Sequence, residues 1–198
     1  LARPDSQLYV KEVHGARRRI GELLAEQAPV PPSDKYFDRP LLVMGVPDSG
    51  VPAAEGFSLR SGIPLGQGLV KNRYIGRTFI APSQEARAVG VRRKFNPLRE
   101  NIAGKRVVMV DDSIVRGTTS RALVNMLREA GAVEVHVRVS SPPYKWPCFY
   151  CIDTGTRAEL LAANLDLEDM RNYLGVESLA FLALNNRKSA IAAPGAGL

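Results

Sequence analysis

The chain has 198 residues, 45% of them hydrophobic and 24% charged, a composition that suits one globular domain with a sizeable buried core. It contains no apolar run of the roughly 18 residues that a membrane-spanning helix needs, and its two cysteines, Cys148 and Cys151, make no disulfide framework, so a reducing, cytoplasmic setting is expected. The formal charge of +7 suits a negatively charged partner: nucleic acid, an acidic membrane surface or a polyphosphate metabolite.

The opening residues, Leu1-Ala2-Arg3-Pro4-Asp5-Ser6, lack an initiator Met and any charged leader followed by an apolar stretch. They read as a cut from something longer, not as a secretory signal. Ala16 to Ala28 reads as an amphipathic helix with Ile20, Leu23 and Leu24 on one face, and a proline-rich connector from Pro29 to Pro40 follows. Leu41 to Val46 fits a buried parallel strand that ends at Pro47. Pro52 opens a helix to about Arg60, Gly62-Ile63-Pro64 closes it, and Leu65 to Val70 is expected to be a second strand. Arg106 to Val110 is the clearest strand, and it runs into Asp111-Asp112. A helix from about Thr118 carries Ala122, Leu123, Met126, Leu127 and Ala130 at helical spacing, with Gly131 where a left-handed cap belongs. Val133 to Val139 alternates and predicts the next strand. This rhythm predicts an α/β domain with a mainly parallel sheet. Ligands of such sheets bind beyond the carboxyl ends of the strands, where Pro47-Asp48-Ser49-Gly50 and Asp111-Asp112 both fall.

The chemistry is concentrated in Val107 to Thr119, V-V-M-V-D-D-S-I-V-R-G-T-T. A strand delivers two carboxylates, then a short loop, then a helix start whose free amides and dipole cradle a phosphate. Ser113, Thr118 and Thr119 add hydroxyl donors, and Gly117 lets the backbone approach closely. Asp111 and Asp112 suit ribose hydroxyls, directly or through hydrated Mg²⁺. Together these make a grip for a ribose 5-phosphate. An Asp-Asp turn with Thr118 as helix cap would account for the acidic pair alone, but not for the whole string. Neither the G-x-x-x-x-G-K-[ST] nor the G-x-G-x-x-G phosphate motif occurs. Between Lys71 and Arg99, eight basic residues face one acid, Glu85, so the positive charge gathers in one segment.

Throughout its thirteen residues this string resembles the phosphoribosyl pyrophosphate (PRPP) signature of type I phosphoribosyltransferases. Further stretches narrow the resemblance to the amidophosphoribosyltransferase family: Lys71 to Ile80 (K-N-R-Y-I-G-R-T-F-I), Val91-Arg92-Arg93-Lys94, Arg3-Pro4-Asp5-Ser6, Pro142-Pro143 and Pro147-Cys148-Phe149-Tyr150. The resemblance implies a mainly parallel twisted sheet flanked by helices, with a small C-terminal hood. On that basis residues 1–198 are expected to form a single domain, with a core at about 40–140, an appendage at 141–184 and a disordered tail at 185–198. It also implies formation of 5-phosphoribosylamine and pyrophosphate from PRPP and ammonia, the first step of de novo purine synthesis. Lys71, Arg73, Tyr74, Asp111 and Asp112 would be catalytic. PRPP would be bound by Pro47, Asp48, Ser49, Gly50, Arg77, Lys94, Ser113, Ile114, Val115, Arg116, Gly117, Thr118 and Thr119. Mg²⁺ would sit at Ser49, Asp111 and Asp112, and residues 71–96 would fold over the bound PRPP, with Tyr74 and Ile75 meeting an ammonia channel.

The family places a glutaminase domain before the segment that begins here, so ammonia is expected from a domain outside this chain. A homo-oligomer is also expected. Cys148 matches one ligand position of an iron–sulfur cluster carried by some members. A [4Fe–4S] cluster needs four thiolates, so it is expected only in a longer protein and not in this chain. Cys151 stands where the family usually has glycine. Neither His14 nor His136 looks catalytic, and Trp146 reads as a packing residue. Two other functions fit parts of the sequence. A salvage phosphoribosyltransferase acting on a nucleobase would share Asp111 to Thr119 but has no need of the Lys71 to Ile80 string. A PRPP-fold regulatory module that binds nucleic acid would use the net charge, but no nucleic-acid recognition motif is present.

Overall fold

The computed structural model describes residues 7–8, 11–72, 90–147 and 156–185. A small hairpin pairs β1 (Gln7–Leu8) with β2 (Lys11–Glu12) and leads into the first helix, Val13–Gln27. The main sheet is parallel throughout, in the order β3 (Leu41–Gly45), β6 (Arg106–Asp111), β7 (Glu134–Val139), β8 (Ser178–Phe181). Between β3 and β6 lie β4 (Leu69–Lys71) and β5 (Phe95–Pro97), which pair antiparallel as a separate ribbon.

Sequence alternation places the two faces of β6 in two cores. Val107 and Met109 point into the larger cluster with Leu123, Leu127 and Ile102, beneath the Thr118–Glu129 helix. Val108 and Val110 point into the second, with Phe57, Ala53 and Leu24, beneath the Val13–Gln27 and Val51–Ser61 helices. Those two helices cross closely. A Cβ on Gly21 would lie 1.9 Å from the Ala53 carbonyl oxygen, and one on Gly56 would lie 1.9 Å from that of Arg18.

One expectation changes in detail. Residues 65–70 form no continuous strand: Leu65 makes a single parallel bridge to Val43, and pairing resumes only at Leu69, in the ribbon. There the chain runs beside β3, and Cβ atoms added at Gly66 and Gly68 would meet Leu42 Cδ1 at 2.6 Å and Met44 Sδ at 2.4 Å. The strand expected over 133–139 forms as β7, and all six of its residues are buried. Val135, Val137 and Val139 enter the larger core. Glu134, His136 and Arg138 are instead covered by the connector after the first helix. Arg138 donates to the carbonyls of Ala28 (2.8 Å) and Pro29 (3.0 Å), and Arg106 donates to that of Pro31 (2.7 Å). Glu134 is paired with Arg106 and accepts from Ser33, while His136 lies 2.9 Å from Ser178 Oγ and 3.2 Å from Glu134.

The last described segment is built into this body. Met170, Leu174, Leu179 and Phe181 join the larger core, and β8 extends the sheet in register with β7, His136 opposite Ser178 and Val139 opposite Phe181. Among the described residues no helix is long and apolar enough to cross a membrane.

Candidate active site

β3 and β6 are parallel neighbours, so the loops that leave their carboxyl ends emerge side by side. The first, residues 46–50, folds back on the tip of β6. Val46 N–H donates to the Val110 carbonyl (2.9 Å) and Gly50 N–H to that of Val46 (2.9 Å). Gly50 is required there, since a Cβ would stand 2.5 Å from the Val110 oxygen. The Pro47–Asp48 peptide bond is cis. Asp48 is exposed, whereas Pro47 and Ser49 are half-buried. The Val51–Ser61 helix follows at once and takes Pro52 in its first turn.

The second loop begins at Asp111, the last residue of β6, whose carbonyl accepts the Ser140 N–H at 2.9 Å. Its carboxyl is buried, and desolvation, aided by the charge of neighbouring Asp112, pushes its pKa up to about 7. The same carboxyl accepts the Asp112 amide at 2.8 Å. Asp112 is half-buried and takes the Ser113 hydroxyl at 3.2 Å, while Ile114 anchors the loop in the larger core. Gly117 turns the chain at φ +76° and caps the Thr118–Glu129 helix without a side chain, leaving the first-turn amides to another acceptor. Thr118 is half-buried and Thr119 exposed at this end.

A basic residue reaches the site from the ribbon. Lys71, the last residue of β4, pairs with the carboxylate of Asp48. Lys94 lies across the ribbon, its backbone carbonyl accepting the Asn72 N–H at 2.8 Å and its ammonium 5.5 Å from the Phe95 ring. Arg73, Tyr74, Ile75 and Arg77 lie outside the described residues, as do Cys148 and Cys151. Asp48, Lys71, Asp111, Asp112 and the 113–119 loop are thus gathered at one edge of the sheet.

Among the described residues no cluster of three or more His, Cys, Asp or Glu could hold a metal by itself. Asp111, Asp112 and the Ser49 hydroxyl are hard oxygen donors from two adjoining loops. That set fits Mg²⁺, which usually takes one or two carboxylates and completes its shell with water and substrate phosphates.

The 113–119 loop also rests on residues that sequence reasoning passed over. Arg116 donates to Glu159 at 2.6 Å, the Leu161 N–H donates to the Val115 carbonyl at 2.9 Å, and Leu161 and Tyr173 close over Gly117. Only the Glu-Leu-Leu run at 159–161 hinted at an ordered element there, and nothing in it pointed to the loop. Trp146, expected to pack, is 66% exposed, and the Arg157 guanidinium stacks on its ring at 4.2 Å.

Residues 19–142 match the family model described as the phosphoribosyl transferase domain. The chain is 53% identical over 199 residues to the amidophosphoribosyltransferase of Mycobacterium bovis, covering 98% of this chain and 36% of that protein. It is 54% identical over 182 residues to that of Synechococcus elongatus, covering 92% and 35%. The solved structure of glutamine PRPP amidotransferase from Bacillus subtilis, complexed with ADP and GMP, aligns at a TM-score of 0.82 and 50% identity, over 96% of this chain and 40% of that one. The chain therefore spans little more than a third of the length of the curated relatives it matches. The parallel sheet, the paired acids at the tip of β6 and the family match across most of the chain lead to one conclusion: this chain belongs to the phosphoribosyl transferase domain family.

Proposed function

We propose that this chain is the PRPP-binding catalytic domain of an amidophosphoribosyltransferase, forming 5-phosphoribosylamine and pyrophosphate from PRPP and ammonia as the entry to purine synthesis. Relatives of that name about half identical along nearly the whole chain support the reading. The observation that carries it is the pair Asp111-Asp112 at the tip of β6, leading into a helix start with no side-chain cap, beside the 46–50 loop. On this reading three groups of residues serve the three parts of PRPP. The amides and hydroxyls of Ser113 to Thr119, with Arg116 alongside, take the 5-phosphate; Asp111 and Asp112 take the ribose hydroxyls; Pro47 to Gly50, with Lys71, take the pyrophosphate.

In the reaction the bond from the anomeric carbon to pyrophosphate breaks, and the ammonia lone pair forms the new C–N bond. Positive charge grows on the ribose and negative charge on the leaving group. The 46–50 amides and the Lys71 ammonium stabilise the leaving pyrophosphate. Asp111, Asp112 and Ser49 would hold Mg²⁺, whose charge would further neutralise the leaving group. Arg73, Arg77 and Lys94 would join as residues 71–96 fold over the ligand and exclude water, bringing Tyr74 towards the incoming ammonia. Ammonia needs no general base to attack, which agrees with the location of His136, buried among Glu134, Arg138 and Ser178 away from both loops. A glutaminase domain of a longer protein would supply the ammonia. A cytoplasmic setting follows from the metabolite substrate and the scarcity of cysteine.

The test is pyrophosphate release from PRPP and Mg²⁺, with and without ammonium chloride at mildly alkaline pH. Ammonia-dependent release is expected, and Asp111→Asn should abolish it. That variant should not melt earlier than the parent, because it removes a buried carboxylate whose charge is disfavoured. Release that answers only to an added nucleobase would replace this reading with a salvage enzyme.

A further inference from the structure

Besides Ile114 in the core, the loop that follows the acidic pair is held by the segment at 159–173. Its residues make three separate contacts there. Arg116 places Nε and Nη2 on the same Glu159 oxygen, at 2.6 and 2.5 Å. The Val115 carbonyl accepts the Leu161 N–H at 2.9 Å. Gly117 lies under Leu161 and Tyr173, so closely that a Cβ would meet Leu161 Cδ2 at 2.7 Å and Tyr173 Cε1 at 3.0 Å. The clamp is itself braced. Asn164 Nδ2 reaches the carbonyls of Ala158 (3.0 Å) and Leu160 (2.7 Å), which fixes the turn carrying Glu159. Tyr173 is stacked by Arg121, from the helix the loop leads into, at 4.9 Å. Three successive loop residues are thus fixed by one ion pair, one backbone bond and one steric wall.

We propose that Glu159 is a positioning residue for the phosphate-binding loop. It holds Arg116 so that the loop amides keep the spacing that a 5-phosphate requires, and its effect is confined to that end of the ligand. The proposal rests on the reading of residues 113–119 as the 5-phosphate cradle. It goes beyond that reading by giving the C-terminal segment a part in substrate affinity. Arg116 is one-quarter and Glu159 two-fifths exposed, so the pair is worth what a partly screened ion pair is worth. Its influence comes from fixing the backbone beside it.

The two ends of PRPP can be tested apart, because ribose 5-phosphate calls on the 113–119 loop and inorganic pyrophosphate with Mg²⁺ calls on the 46–50 loop. Calorimetric titration of each into the parent chain and into Glu159→Gln is the experiment. Glu26→Gln serves as control, since it breaks an exposed ion pair to Arg60, at the far end of the Val51–Ser61 helix from the 46–50 loop. The expected result for Glu159→Gln is a roughly threefold to fivefold rise in the ribose 5-phosphate Kd. The pyrophosphate Kd and melting temperature should be unchanged, as should both affinities in the control. In ammonia-dependent turnover KM for PRPP should rise by the same factor while kcat holds. Equal weakening of both ligands with a lower melting temperature would reduce Glu159 to a structural role, and unchanged binding of both would remove any role. If the parent chain itself fails to bind ribose 5-phosphate, the cradle assignment falls first and this inference goes with it.

Discussion

Glycines separate geometric necessity from mere habit in this chain. Gly50 has an ordinary backbone, φ −79°, yet a Cβ there would press on the carbonyl oxygen of Val110 and on both backbone polar atoms of Val46. Gly62 is the opposite case, with φ +72° and open space around it. Alanine at Gly62 should cost about 1 kcal/mol, the penalty for a left-handed L-residue. At Gly50 the obstacle is backbone on either side that cannot give way, and alanine should cost about 2–3 kcal/mol. It should also displace the loop that adjoins Asp111. Chemical denaturation of both variants, with pyrophosphate binding as the second readout, checks the contrast: only Gly50→Ala should lose binding. Asp48, Asp111, Asp112 and Gly117 were singled out in the sequence as site candidates, because a phosphate site would use a recognisable string of residue types. Glu159, Leu161 and Tyr173 were not, because they act by propping a loop over 40 residues away in sequence, and a prop carries no chemical signature of its own.

Among the elements, β7 alternates apolar and polar residues and is buried on both faces. Its polar face is buried because the connector after the first helix lies across it, tied down through the carbonyls of Ala28, Pro29 and Pro31. Main-chain acceptors look the same whatever the residue, so the sequence showed the strand and hid its cover. His136 belongs to that buried face. Burial, reinforced by the positive charge of Arg138, pushes its pKa down to about 4, against attraction from Glu134. An unfolded histidine titrates near 6.5. Between those values the unfolded chain therefore binds the proton more readily, and stability falls as pH drops from about 6.5 to about 4. The group's full contribution is about 3 kcal/mol. Thermal melts across this window should fall more steeply for the parent than for His136→Gln, whose amide can still meet Ser178 and Glu134. Parallel slopes would mean that other groups set the acid sensitivity. Beside the shortened second strand, Gly66 and Gly68 bring the chain against Leu42 and Met44, a contact that depends on the sheet already being assembled.

At the scale of the whole molecule, the last described strand forms one edge of the main sheet. β8 pairs along its whole length with β7, and Leu174, Leu179 and Phe181 fill the same core as Leu123 and Val137. A chain ended at Ser141 would expose that core and one side of β7 together. It should unfold without a cooperative calorimetric transition, whereas the parent should show one. A sharp transition in the shortened chain would mean that the central strands are sufficient by themselves. The parallel order of the sheet was legible from strands separated by helices, and the loops at its carboxyl edge were legible with it. The membership of β8 was not, because Ser-Leu-Ala-Phe is too short and too ordinary a run to declare its partner.

The two adjacent acids differ in one further respect. Asp111 is the final residue of β6, opposite Val139 in register, with its carbonyl bound to Ser140; Asp112 has already left the sheet. One carboxylate is therefore mounted on a paired strand and the other on the loop that leaves it. Under the proposed ribose contacts, a hydroxyl held by Asp111 would meet a carboxylate set by strand pairing, and one held by Asp112 would meet a carboxylate that no strand pairing holds. Stereochemical fidelity should accordingly be unequal around the ring: inverting the first hydroxyl should be rejected severely, and inverting the second tolerated in part.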